Sequence, residues 1–241
     1  MKKIITATAT ATATALVFIL FSCTALADGF GLNVTRVIFK GNNDSTTVVL
    51  RNSSSKDTYI VQARMSKTVD GFEETPFTIT PPIFRLETES TNNLRIKLNH
   101  INDLPQKHES VFYLNTRAIP ASVKKDEKDG INRISGTAQF GVGTIIKLFY
   151  RPKNLPGSSE EAQKNISFKR VPNGINVKNN SAFYVSFSKL SVEGESLLKK
   201  NLPAMISPYS DVTYVTKINS GKVTWNTIND FGGVNVYETD L

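Results

Sequence analysis

The sequence predicts an all-β fold made of two immunoglobulin-like β-sandwich domains in series. Three observations lead to this prediction. Short segments of alternating apolar and polar residues recur along the chain, clusters of turn-forming residues separate them, and residues 32–148 contain no convincing helical stretch. The length of 241 residues accommodates two domains of roughly 100 residues each, the usual size of such a sandwich.

The first 27 residues have the pattern of a secretory leader. Two lysines near the start are followed by a Thr/Ala tract, a short apolar run at 15–21 and the small-residue finish Ala25–Ala27, which predicts cleavage before Asp28. The apolar run is too short to span a bilayer, and no later segment is apolar enough to do so. We therefore expect an exported protein with no stable membrane insertion.

Cys23 is the single cysteine and lies inside this leader. The residues 20–23 loosely resemble a lipoprotein site, although the Ala25–Ala27 site is better formed, so lipidation at Cys23 and cleavage after Ala27 both stay open. In either case the exported domains lack disulfides and must depend on their hydrophobic cores for stability.

Residues 28–152 are predicted to form the first domain. Turn-forming clusters such as Gly41–Asp44 and Pro81-Pro82 separate its alternating segments. The predicted strands are Asn33–Lys40, Thr46–Asn52, Tyr59–Lys67, Leu94–Leu98 and Ser110–Ala118. Residues 122–133 are dense in both charges and nearly free of apolar side chains, which predicts a mobile loop.

The stretch 134–152, ISGTAQFGVGTIIKLFYRP, follows this loop and is the predicted last strand of the domain. Ala138, Phe140 and Val142 alternate with polar or glycine residues, so in a strand the three apolar side chains stand on one face. So many glycines are unusual in a buried central strand. They are compatible with an edge strand that pairs with another molecule, although the ordinary fate of such a row is the protein's own core.

Residues 153–241 are predicted to form the second domain, with Lys153–Gln163 as the linker and its start. A tight hairpin is expected at Pro172–Gly174. The predicted strands are Ile166–Val171, Ile175–Lys178, Phe183–Leu190, Val212–Lys217 and Val223–Ile228.

The common signatures of catalysis and cofactor binding are missing from the sequence. It has no G-x-S-x-G elbow, P-loop or H-E-x-x-H motif, and His100 and His108 lack neighbours that suggest a metal site or a catalytic triad. We expect no enzyme activity, no metal and no cofactor. The net charge of +8 would alone be compatible with nucleic acid, an anionic surface or an acidic partner, and the predicted export argues against nucleic acid.

One segment resembles a known family specifically. The string IKLFYRP at 146–152 resembles the end of the last N-terminal-domain strand in the periplasmic chaperones of the chaperone–usher pathway, which assemble pili and fimbriae. Five further strings agree in order along nearly all of the mature chain: LNVTRVIF at 32–39, TPPIFRLE at 80–87, LPQKHESVFYLNTRAIP at 104–120, NNSAFYV at 179–185 and TINDFGG at 227–233.

The resemblance implies a periplasmic chaperone whose two domains form an L or boomerang. It would bind pilus or fimbrial subunits by donor-strand complementation, in which the chaperone adds a strand to a subunit that lacks its last one, and deliver them to an outer-membrane usher. Free chaperone could also associate with itself through the same strand. Two rival interpretations are an exported fibre subunit or adhesin and an exported hydrolase or sugar-binding sandwich.

In the resembling family two basic residues in the cleft between the domains bind the C-terminal carboxylate of a subunit. The matching positions are Arg36 and Lys147. The alternative is that these charges lie at strand edges and discourage unwanted pairing. The resemblance also implies that Ala138, Phe140 and Val142 insert into the groove of the subunit, with Ile134 extending the row. Ala138 is small for that role.

Three further charges match an ionic link between the domains of the family, namely Glu109, Arg151 and Asp230. A surface ion pair adds little stability, so we expect the link to orient the cleft. The alternative is three unrelated surface charges. The long segment between strands resembles the long-loop branch of the family, but the usual cysteine pair of that branch is replaced by Asn115 and Ile145.

Overall fold

The computed structural model describes residues 29–99, 104–121, 140–218 and 220–241, which form 17 strands and one short helix. The predicted leader, the predicted loop at 122–133, Ile134 and Ala138 lie outside the described residues. The N-terminal part contains β1 (Phe30–Leu32), β2 (Arg36–Lys40), β3 (Ser45–Asn52), β4 (Tyr59–Ser66), β5 (Phe77–Thr80), β6 (Ile83–Leu86), β7 (Ser90–Leu98), β8 (Ser110–Pro120) and β9 (Val142–Arg151).

The C-terminal part begins with the helix and continues with eight strands. Its elements are α1 (Ser159–Lys164), β10 (Ser167–Val171), β11 (Gly174–Lys178), β12 (Val185–Val192), β13 (Glu195–Ser196), β14 (Met205–Ile206), β15 (Asp211–Val215), β16 (Lys222–Ile228) and β17 (Val234–Asp240).

Two sheets enclose the N-terminal core. One has the strand order β1-β3-β7-β5 and the other the order β2-β9-β8-β4-β6. Burial alternates along the strands as a half-buried sheet requires, so that Tyr59, Val61 and Ala63 of β4 are buried and the residues between them are exposed. The core contains the fully buried side chains of Phe39, Leu50, Leu94, Ile96, Leu114, Leu148 and Tyr150.

The edge of the five-stranded sheet is only partly covered. Strand β2 runs parallel to β9 and pairs with it from Arg36↔Lys147 to Lys40↔Arg151, whereas β8 pairs antiparallel with β9 from Val142 to Tyr150. Residues Val142–Ile146 therefore have β8 on one side and, within the described part of the chain, no strand on the other. This open edge lies directly beyond the first residue of β2.

A second core is enclosed by the C-terminal sheets, whose orders are β10-β11-β15 and β13-β12-β16-β17, with β14 also pairing with β12. The core surrounds Trp225, whose Nε1 donates to the carbonyl of Gln163 in α1. The predicted linker region thus contains a helix that the alternation pattern did not indicate. Its start is set by Ser158, whose hydroxyl accepts from the N–H of Glu161.

The predicted boundary between Pro152 and Lys153 lies between the two cores, whose buried members run from Val37 to Tyr150 and from Ala162 to Trp225. The boundary itself stays a prediction. The predicted strand Asn33–Lys40 starts three residues too early, since β2 begins at Arg36. The preceding strand β1 belongs to a different sheet from β2. Asn33 lies between them and bonds to both backbone groups of Val49, which allows the chain to cross over.

Candidate functional site

The structure brings Arg36 and Lys147 together. They are Cα partners at the first position of the parallel β2–β9 ladder, and both side chains are half-buried. Because paired residues on neighbouring strands point to the same face of a sheet, the two cations lie side by side. Neither of them forms an ion pair with a carboxylate of the described residues.

The guanidinium of Arg36 is held by groups from both domains. Its Nη1 donates a hydrogen bond of 2.8 Å to the carbonyl oxygen of Ile228, which ends β16. Its Cζ lies 5.6 Å from the centroid of the Phe149 ring, and that ring packs against Tyr184 at 5.7 Å. The Nε of Arg36 is buried and has no hydrogen-bond partner among the described residues. One donor of a positioned guanidinium thus remains unused.

Burial and charge repulsion disfavour this pair of cations in the free protein. Burial lowers the pKa of Arg36, although the charges of Asp230 and Glu109 oppose the change. Burial also lowers the pKa of Lys147, and the positive charge of Arg36 lowers it further. An anion bound between them would offset both costs.

The apolar row of β9 is divided between the inside and the outside of the protein. Ile146 and Leu148 are buried in the N-terminal core, whereas Phe140 is 83% exposed and Val142 is 46% exposed. Val142, Ile146 and Leu148 share one parity along β9, so Val142 continues the core-facing row beyond the core. Phe140 lies two residues before the strand and has the same parity in the sequence. The alternative that the row packs into the protein's own core does not hold for Phe140 and Val142.

Arg151 joins the two domains through an ionic cluster. Its Nε lies 2.6 Å from Glu109 Oε1, and its Nη1 and Nη2 donate to the two oxygens of Asp230 at 2.7 and 2.9 Å. The second oxygen of Glu109 accepts from the N–H of Tyr184 at 2.8 Å, and Ser159 donates to Asp230. Both acids are therefore fixed by the same guanidinium and by groups of the C-terminal domain.

This cluster is less exposed than a surface link. Glu109 is 2% exposed, and burial raises its pKa even though Arg151 and the N–H of Tyr184 act to lower it. Burial alone would also raise the pKa of Asp230, but the hydrogen bonds and charge of Arg151 outweigh it and the pKa is lowered. The buried carboxylate makes the contact directional and costly to break.

Two contributors to the site were missed from the sequence. Phe149 shares the parity of Lys147 and Arg151, so its place on their face could have been found from the period of two. The carbonyl of Ile228 carries no signal in the residue type. Asn115 and Ile145, which replace a cysteine pair of the long-loop branch, are Cα partners, and Asn115 instead bonds to Ser66 at 2.8 Å.

The described residues contain no cluster of acids, histidines and cysteines that could hold a metal ion. In the same residues no helix is both long and apolar enough to cross a membrane.

Comparison with known families shows to which family the chain belongs. The family described as pili and flagellar-assembly chaperone, PapD N-terminal domain, matches residues 29–156, and the pili assembly chaperone PapD, C-terminal domain, matches residues 161–239. The chain belongs to the pilus-assembly chaperones. As such it is a periplasmic chaperone of the chaperone–usher pathway and not an enzyme, so the predicted family, fold class, compartment and function are confirmed.

Individual members of this family resemble the chaperone along most of its length. The chaperone protein LpfB of Salmonella typhimurium is 36% identical over 227 residues, which cover 88% of this chain and 93% of LpfB. The crystal structure of the E. coli chaperone DraB superposes with a TM-score of 0.73 at 27% identity, covering 89% of this chain and 97% of DraB. The periplasmic chaperone SfaE gives a TM-score of 0.71 at 28% identity, covering 88% and 98%.

Proposed function

We propose that this chaperone completes the fold of a pilus or fimbrial subunit that lacks one strand, by pairing the open edge at Val142–Ile146 with the C-terminal strand that the subunit has. The observation that carries the proposal is the register of β2 with β9. Pairing with β2 begins only at Lys147, so no strand of the described chain pairs with that edge before Lys147. An incoming strand can therefore occupy the line of β2 without displacing it.

The same geometry sets the direction of the incoming strand. A strand on the line of β2 whose carboxyl terminus meets Arg36 and Lys147 must run parallel to β9, as β2 does. Its terminal carboxylate would accept hydrogen bonds from both half-buried cations. Each bond of this kind contributes about 1.5–3 kcal/mol. The anchor thereby fixes the register of the whole added strand.

The side chains of the chaperone's donor strand determine how well it fits the subunit. Phe140 and Val142 are exposed on the face that continues the core row, so in the complex they fill the open groove of the subunit. Ala138 and Ile134 share their parity and extend this donor row. Main-chain bonds hold any extended segment, whereas the alternating side chains select the subunit.

The ionic cluster keeps the two domains oriented for binding. Arg151 contacts Glu109 and Asp230, and Asp230 is two residues from Ile228, whose carbonyl oxygen holds the anchor Arg36. The cluster thus stabilises the arrangement in which the carbonyl oxygen reaches Arg36. The domain division at 28–152 and 153–241, after a leader at 1–27, is part of the same proposal.

The chaperone would act between export and assembly of the subunit. It captures subunits in the periplasm, prevents their edges from aggregating and delivers them to an outer-membrane usher. There the donor strand is replaced by a segment of the next subunit.

The test is recovery of subunit complexes from periplasm. A tagged chaperone is co-expressed with the secreted fibre subunits of its source strain, and the co-purified subunit is identified by mass spectrometry. Arg36→Ala and Lys147→Ala should each abolish recovery while the chaperone stays folded. Lys40→Ala, which removes an exposed cation of the same strand, should not. Equal recovery with all three variants would refute the anchor.

A further inference from the structure

The C-terminal domain exposes several apolar side chains near Ile228, whose carbonyl oxygen accepts from Arg36. Phe231, in the turn between β16 and β17, is 98% exposed, Val234 is 54% exposed, and Val236 stands on the same face of β17. We call these three residues the hinge strip. Single exposed apolar residues are ordinary, whereas a patch of neighbouring ones often marks an interaction site.

The strip begins at the anchor. A side chain placed on Gly232 would collide with Oγ1 of Thr35, the residue before Arg36, so the turn that carries Phe231 touches the N-terminal domain there. Val234 is the Cα partner of Ile228, whose carbonyl oxygen accepts from Arg36. The strip therefore continues from the point at which the incoming strand would end.

Strand β17 carries charges that discourage association only in the half that lies away from this point. It is the last strand of its sheet, and edge strands commonly carry charges that prevent association. Glu238 and Asp240 supply such charges in the distal half, where Glu238 pairs with Lys222 at 3.1 Å. The half of β17 next to Ile228, from Val234 to Val236, carries no charged residue. The uncharged half of this edge strand therefore lies next to Arg36 and Lys147, where a partner bound to these cations could contact it.

We propose that the hinge strip is a second docking surface for the same subunit whose carboxylate binds at Arg36 and Lys147. It takes an apolar patch of the subunit next to its carboxyl terminus, so that the subunit is held by both domains. This inference rests on the proposed function. Continuity with the anchor favours the subunit over a second copy of the chaperone as the occupant.

The experiment is a competition for one subunit. Tagged wild-type chaperone and an untagged competitor are co-expressed with the subunit identified above, and the subunit bound to each is measured. The double variant Phe231→Ser, Val234→Thr should capture about tenfold less subunit than the wild type, because burial of one large apolar side chain is lost. Val215→Thr, at an exposed valine of β15, is the matched control and should compete as well as the wild type.

A second measurement does not depend on weakening the complex. Val236→Cys, labelled with a polarity-sensitive dye, should shift its emission to the blue when the subunit is bound. If the double variant competes equally and the dye does not respond, while Lys147→Ala is inactive, the strip proposal falls and the anchor stands. If Lys147→Ala also competes equally, the anchor itself has failed. If the double variant only converts a dimer of wild-type chaperone to monomer, the strip binds a second copy and the proposal is wrong.

Discussion

The guanidinium of Arg36, in the N-terminal domain, donates a hydrogen bond of 2.8 Å to the backbone carbonyl oxygen of Ile228, in the C-terminal domain. The proposed carboxylate anchor thus has contributions from both domains, although both of its cations come from one. A planar guanidinium can keep this bond and still present other N–H groups to a ligand, which an ammonium group cannot do equally well.

Replacing Arg36 by lysine should therefore impair capture even though the charge is kept. We expect Arg36→Lys to lower subunit affinity by about tenfold, because one ammonium cannot satisfy Ile228 and the carboxylate in the same geometry. Competition for the subunit measures the effect, with Arg51→Lys on the other sheet as the control. Wild-type capture by Arg36→Lys would mean that only the charge matters.

Truncation of Arg151 should destabilise the protein substantially. Arg151→Ala leaves the buried carboxylate of Glu109 without its cation, and breaking a buried pair from one side costs about 3 kcal/mol. Urea unfolding followed by circular dichroism measures the loss. Arg85→Ala, which breaks the exposed pair with Glu87, should change the stability little. Equal effects of the two variants would show that the burial of Glu109 does not matter.

Asp230 should contribute stability that is lost in acid. Its pKa in the folded protein lies below the ordinary 3.8, because Arg151 outweighs the effect of burial. A carboxyl of this kind stabilises the fold above its unfolded pKa, and the contribution disappears as the pH falls through the folded value. The unfolding free energies of the wild type and of Asp230→Asn should therefore differ at neutral pH, and the difference should shrink as the pH falls below 3.8. A gap that widens in acid would contradict this sign.

Substitutions at two residues of the same row should affect subunit binding and stability separately. Val142→Ser should leave the melting temperature unchanged and reduce subunit capture, because Val142 is exposed in the free chaperone. Ile146→Ser, four residues further along the same face, should lower the melting temperature, because that side chain is buried in the core. A thermal scan paired with co-purification distinguishes the two. Similar losses of stability would place Val142 in the chaperone's own core.

How much could be predicted from the sequence depends on how local each feature is. The alternation from Phe140 to Tyr150 is visible in the sequence, because a strand turns its side chains with a period of two wherever it lies. The point at which that row leaves the core is not visible in the sequence, since it lies where the neighbouring strand β2 begins.

Long-range contacts made by backbone groups could not be predicted from the sequence either. Neither the N–H of Tyr184 on Glu109 nor the carbonyl of Ile228 on Arg36 depends on the type of residue that provides it. The helix α1 was missed because it is only six residues long and is set by its Ser158 cap and by contacts with β16, not by a long apolar period.

The central claim is that the C-terminal strand of a subunit pairs with β9 before Lys147. Hydrogen exchange of the backbone amides of Val142–Ile146, compared between free chaperone and the purified complex, tests this directly. The alternate amides that face away from β8 should exchange freely in the free chaperone and become protected in the complex. If they exchange at the same rate in both, the subunit is held elsewhere and the account is wrong.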